Sequence, residues 1–115
     1  MTECTERAHE ETVARAKAVA MRTEEVEKTS NLFRVLGEPS RLKIVLALGE
    51  GEMCVYHILE ACGGTQSGVS HQLRVLKDNG VLKCRREGQN VLYSLADGHI
   101  REIVAVAVAH LSCEV

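Results

Sequence analysis

The chain lacks tryptophan altogether and has one phenylalanine and two tyrosines among its 115 residues. A core without large aromatics must be aliphatic, and a chain this short buries only a modest one, so the expected fold leans on a second copy of itself. Proline is nearly absent too: Pro39 stands alone. No apolar run reaches the roughly 18 residues of a membrane span. The opening MTECTERAHEETVARAKAVAMRTEEVEK is charged and has no apolar centre, unlike a signal peptide. Positive charge is not in excess either, since 14 Lys and Arg face 16 Asp and Glu for a net charge of −2. A global basic field therefore does not draw in nucleic acid, and local patches have to be sought instead. There is no glycine-rich phosphate loop and no nucleophile motif, which leaves catalysis without support.

Cysteine, by contrast, is well represented. Five residues at positions 4, 54, 62, 84 and 113 are odd in number and widely spread. That pattern speaks against a secreted disulfide framework and for reduced thiols in a cytoplasmic protein, open to metals or oxidants.

The patterning predicts a mainly α fold with a small β-hairpin, in one domain preceded by an N-terminal arm and helix over 1–29. In that arm Val13, Ala16, Ala20 and Val26 form a weak apolar stripe, with no Gly or Pro to interrupt it. In SNLFRVLGEP, Ser30 or Asn31 offers an N-cap, and Gly37 and Pro39 end the helix. PSRLKIVLALGEG predicts a helix with Pro39 in its first turn and Leu42, Val45, Leu46 and Leu48 facing inward. MCVYHILEACGG predicts a short helix over 54–61 stopped by two glycines. TQSGVSHQLRVLKDNG predicts a second over 65–78, capped by Thr65, with Val69, Leu73 and Leu76 inward. VLKCRREGQNVLYSL predicts two strands around Glu87-Gly88-Gln89. The closing DGHIREIVAVAVAHLSCE has the length of a buried helix.

Helix, tight turn, helix and hairpin in that order make a helix-turn-helix followed by a wing. The second helix exposes Gln66, Ser67, Ser70, His71 and Arg74. Gln can pair with adenine, Ser with bases or phosphates, and Arg with guanine or phosphate. Arg85 and Arg86, with Lys83 and Lys77, supply the local basic patch that the net charge conceals.

The stretches NLFRVLGEPSRLKIVLAL and TQSGVSHQLRVLKDNGVLKCRREGQNVLYSL, with the closing DGHI…AHL, resemble the ArsR/SmtB family of bacterial metal-responsive repressors over roughly residues 30 to 113. The resemblance implies a homodimeric winged helix-turn-helix over 30–115 that represses an operator and leaves it when an inducer binds. It assigns DNA contact to Gln66, Ser67, Ser70, His71, Arg74, Arg85 and Arg86.

The terminal helix carries ligands. His99 and His110 are eleven residues apart, close to three turns, so they share a face but lie about 16 Å apart along the axis. Two imidazoles on one Zn²⁺ must each come within about 2.1 Å of it, which one helix cannot arrange. Two antiparallel copies can, with Asp97 and His99 of one meeting His110 and Cys113 of the other, as two tetrahedral sites related by a twofold axis. Family members that sense zinc resemble this, with Asp-x-His from one chain and His-x-x-Glu or His-x-x-His from the other. Cys113 stands where Glu or His is usual, and Glu114 follows as an alternative ligand. A thiolate favours Zn(II) or Cd(II) as inducer over Ni(II) or Co(II). A second set is Cys54 and His57, completed by Cys4 and His9. It lies where family members that bind thiophilic metals carry C-V-C-D or C-V-G-D, although Tyr56 replaces the second thiol here. The expected partners are double-stranded operator DNA with an inverted repeat and a second copy of the chain, with no membrane. The rival reading in the same fold is a thiol redox sensor acting through Cys54, Cys62 or Cys113.

Overall fold

The computed structural model describes residues 3–113, with side chains from residue 6 onward. Its elements are α1 (Glu3–Ala20), α2 (Thr23–Leu36), α3 (Pro39–Leu48), β1 (Met53–Cys54), α4 (Val55–Cys62), α5 (Gln66–Asp78), β2 (Leu82–Glu87), β3 (Asn90–Leu95) and α6 (Gly98–Ser112). They fall into two compact units, one ending at Phe33 and the other beginning at Arg34.

In the first unit, every described side chain of α1 is exposed, as its weak apolar stripe would suggest. The chain breaks helix at Met21–Arg22 although no Gly or Pro is present, and Thr23 Oγ1 donates to the Met21 carbonyl at the restart. Glu24 and Glu25 then occupy the first turn of α2, where carboxylates suit the helix dipole. Because α2 starts at Thr23, neither Ser30 nor Asn31 is an N-cap. Ser30 Oγ instead donates to the Glu27 carbonyl, 3.0 Å away, within the helix.

The second unit is organised around buried aliphatic side chains. Glu38 caps α3 by accepting from the Arg41 amide at 3.0 Å, and Pro39 takes the first helical position. Hydrogen bonds from the Ser40 and Arg41 amides hold the Glu38 carboxyl below its ordinary range. α3 buries Ile44, Val45 and Leu48, whereas Leu46, expected to face inward, is exposed. The run is apolar on nearly every side, so its period did not single out a face.

Gly63 and Gly64, both at positive φ (78° and 91°), make the turn between α4 and α5, a conformation that side chains with a Cβ resist. Thr65 then caps α5 through the Gly68 amide at 3.0 Å. β2 and β3 form the hairpin, but the sheet has three strands in the order β1-β3-β2, all antiparallel. Met53 and Cys54, read as helical from sequence, pair with Tyr93 and Leu92, and α4 begins only at Val55.

α6 is a helix as expected, yet it is buried only in part. Ile100 and Val104 are covered, while Val106 and Leu111 are 68% and 84% exposed. From Ala105 to Cys113 every residue is exposed. None of the described helices is long and apolar enough to cross a membrane.

Candidate nucleic-acid interface and metal site

α5 divides its residues cleanly. Val69, Leu73 and Leu76, spaced four and three apart, are buried; Ser67, His71 and Arg74 are exposed on the opposite face, and Gln66 and Ser70 are exposed at its flanks. His71 is thus a surface group and not a core histidine. The helix is anchored from behind by one side chain: Arg41 donates through Nε to the Val35 carbonyl (2.8 Å) and through Nη1 to Gln72 Oε1 (3.2 Å). Sequence reasoning had not found this tie, because its partners are 31 residues apart and neither belongs to a recognisable motif.

In the wing, successive residues of β2 point to opposite faces of the sheet. Tyr93, which pairs with Cys84, lines a hollow with Ser70, Leu73 and Arg74 of α5. The Leu82, Cys84 and Arg86 side of β2 therefore faces α5, and the Lys83, Arg85 and Glu87 side faces away. Arg86 and Lys83 are exposed. Arg85 is held by carboxylates: its Nε donates to Glu52 Oε2 at 3.0 Å, its Nη2 bonds Glu52 Oε1, and the same Nη2 lies 2.9 Å from Glu87 Oε2. The hydrogen bond from Arg85 holds the Glu52 carboxyl below its ordinary range, helped by the positive charge of Lys83. Glu52 in turn pushes the Arg85 guanidinium further toward the charged form.

At the start of α6, Asp97 is the N-cap, and its Oδ1 accepts from the amides of His99 (2.9 Å) and Ile100 (3.3 Å). His99 Nδ1 stands 3.4 Å from the same oxygen, and both side chains are exposed. Partial desolvation raises the Asp97 carboxyl, but the two amides and the neighbouring imidazole outweigh it and leave the group below its ordinary range. His110 is exposed in the last turn, and Cys113 is the exposed C-cap, with extended backbone (φ −73°, ψ 112°). Glu114 lies outside the described residues. Among the described residues, no three His, Cys, Asp or Glu side chains of one chain gather tightly enough for a metal. Asp97 and His99 come together, while His110 and Cys113 sit at the far end of the same helix.

The second proposed set is divided. Cys54 is half-buried at the N-cap of α4, with no side-chain cap bond, and His57 is exposed three residues on. His9 is an exposed residue of the first unit, and the side chain of Cys4 falls outside the described residues. The described cysteines 54, 62, 84 and 113 are free thiols. Burial pushes the Cys62 thiol up despite the positive charge of Lys43, which disfavours the thiolate an oxidant sensor needs.

Residues 38–83 match the family described as "Bacterial regulatory protein, arsR family". The chain is 37% identical over 103 residues to the transcriptional repressor SmtB homolog of Synechocystis sp., covering 90% of this chain and 78% of that protein. It is 36% identical over 103 residues to the cadmium resistance transcriptional regulatory protein CadC homolog of Staphylococcus aureus, covering 89% and 84%. Among solved structures, the homodimeric winged helix-turn-helix DNA-binding domain of a possible ArsR-family transcriptional regulator from Mycobacterium bovis is similar in fold. It has a TM-score of 0.74 at 25% identity, covering 80% of this chain and 85% of that one. With its helix-turn-helix, its wing and these relatives, the chain belongs to the ArsR/SmtB family of bacterial transcriptional repressors, which are regulators and not enzymes.

Proposed function

We propose that this protein works in the cytoplasm as a homodimeric, metal-responsive repressor. Its metal-free dimer binds a short inverted-repeat operator and lets go when its paired α6 helices take up Zn(II) or Cd(II). DNA is met by Gln66, Ser67, Ser70, His71 and Arg74 of α5 and by Arg86 of the wing. The dimer covers the apolar surface of α6 beyond Val104, which the single chain leaves open.

The observation that carries the metal reading is the 3.4 Å separation of Asp97 Oδ1 and His99 Nδ1. Two ligand atoms about 2.0–2.1 Å from a tetrahedral ion stand about 3.3 Å apart, so this pair already spans one edge of such a site. The oxygen on this edge, Oδ1, is also the one that caps the helix, so the cap itself holds the carboxylate beside the imidazole. His110 and Cys113 cannot reach it from the same chain, and an antiparallel partner helix would bring them. A thiolate in the set suits Zn(II) and Cd(II) better than Ni(II) or Co(II), and the cadmium-resistance name of the CadC homolog agrees with that order. Binding requires deprotonated Cys113 and neutral imidazoles, so sensing weakens in acid. Coupling between sites is reciprocal, and operator DNA lowers metal affinity by the factor by which metal lowers DNA affinity.

The test is operator binding by fluorescence anisotropy under anaerobic conditions, using a duplex selected by the protein from a random pool. Zn(II), Cd(II), Ni(II) and Co(II) are added in turn to wild type and to His99→Ala/His110→Ala. Metal should release the wild type and leave the double variant bound. Release of both would move sensing to Cys54 and His57, and release of neither, with release by peroxide, would establish the thiol reading.

A further inference from the structure

The basic patch of the wing is smaller than its composition suggests. Two adjacent arginines stand on β2, but the register separates them. Arg85 pairs with Leu92, which pairs with Cys54, whereas Cys84 pairs with Tyr93, which pairs with Met53. Directly opposed residues in an antiparallel sheet share a face. Arg85, Leu92 and Cys54 thus lie on one side of the sheet, and Tyr93 lies on the other with α5. Glu52 stands two residues before Cys54 and therefore on the Arg85 side. The Arg85 side chain reaches diagonally across β3 to meet it, over a sequence separation of 33 residues. An exposed ion pair ordinarily contributes little, because two mobile chains must be held in water. This contact differs in being bidentate and in engaging a third group, Glu87, two positions along the same strand and face.

We propose that Glu52 is a positioning residue of the wing: with Glu87 it clasps Arg85 on the face of the sheet turned away from α5, withholding that cation from DNA and leaving Arg86 as the arginine of the wing that meets phosphate. The clasp joins the strand that precedes α4 to the edge strand β2, so the same contact fixes how far the hairpin stands from the helix-turn-helix. This inference rests on the DNA-binding reading above for its consequence, but the clasp can be observed without DNA.

Each phosphate contact contributes about 0.9 to the slope of log affinity against log salt, and a dimer contributes each contact twice, about 1.8 in all. The experiment measures that slope by anisotropy on a random-sequence duplex for wild type, Arg85→Gln, Arg86→Gln, Glu52→Gln and Glu52→Gln/Arg85→Gln. Thermal melts check that each variant is folded. Arg86→Gln should flatten the slope by about 1.8, and Arg85→Gln should leave it as in the wild type. Glu52→Gln should tighten binding and steepen the slope, because Arg85 becomes available, and the double variant should return to the wild-type slope. Flattening by Arg85→Gln as large as that of Arg86→Gln would overturn the proposal, as would Glu52→Gln with an unaltered slope.

A second measurement separates the clasp from DNA binding. In nitrogen-15 spectra of the free dimer, the Arg85 Nε–H should give a resolved, slowly exchanging signal that Glu52→Gln abolishes. Should the wild type bind no DNA, the functional reading fails while this signal still decides the clasp. A signal that is absent, or indifferent to Glu52→Gln, overturns it.

Discussion

The helix-turn-helix with its wing and the terminal helix differ in how much of each one chain completes. α4 and α5 bury Ile58 and Leu73 to 0% and 1% exposure, their turn and cap are in place, and the recognition face is fully formed. α6 has a well-made start, capped by Asp97, but its apolar surface past Val104 stands open, and its four ligand candidates are split between its two ends. One region is self-sufficient, and the other is half of something. A regulator benefits from that division. On the proposed reading, the helix-turn-helix is complete in each chain with or without metal, and the metal site would form only between two chains.

Three substitutions probe this contrast. The largest effect belongs to Leu73→Ala, which removes buried aliphatic volume behind α5. It should cost about 2–5 kcal/mol of the roughly 5–15 kcal/mol that hold a domain of this kind together, visible as an earlier urea midpoint and weaker DNA binding at any salt. Val106→Asp should do the reverse. The fold should survive, because the residue touches solvent in the single chain, but an unpaired charge in the proposed α6 interface should weaken association by about 3 kcal/mol, on the order of a hundredfold. Sedimentation velocity would report it. Were Val106→Asp to abolish the helical far-UV signal at high protein concentration, the two regions would share one stability and the contrast would collapse. The smallest effect concerns acid. The folded carboxyl of Glu38 titrates below its ordinary range, so its contribution is complete above the unfolded value of about 4.3 and is lost as pH falls through the folded one. Stability between about pH 5 and 3 should therefore decline less steeply in Glu38→Gln than in wild type, with the change centred on α3 and not on α6.

What could be read from sequence was whatever is local. The spacing of Val69, Leu73 and Leu76, the Gly63-Gly64 turn and the Thr65 cap all act within a few residues, and they placed α5 with its exposed face correctly. The closeness of Asp97 and His99 was legible for the same reason, since they are neighbours on one helix start. Long-range pairing was hidden. Nothing in Met53-Cys54 marks a strand, because two residues carry no period and their partners come about forty positions later. Arg85 reads as a free cation until Glu52 is placed beside it. Leu46 reads as core because α3 is apolar all round, and the exposed side of such a helix depends on what packs against it.

The Arg41–Gln72 tie has a consequence for descent and for engineering. Since Gln72 and the buried Val69, Leu73 and Leu76 hold α5 in place, the outward positions 66, 67, 70, 71 and 74 are relieved of structural duty. If those five positions read the operator as proposed, a gene duplicate can drift there and acquire a new one without first losing its fold. The same scaffold can thus seed a set of paralogues that share a signal but address different promoters.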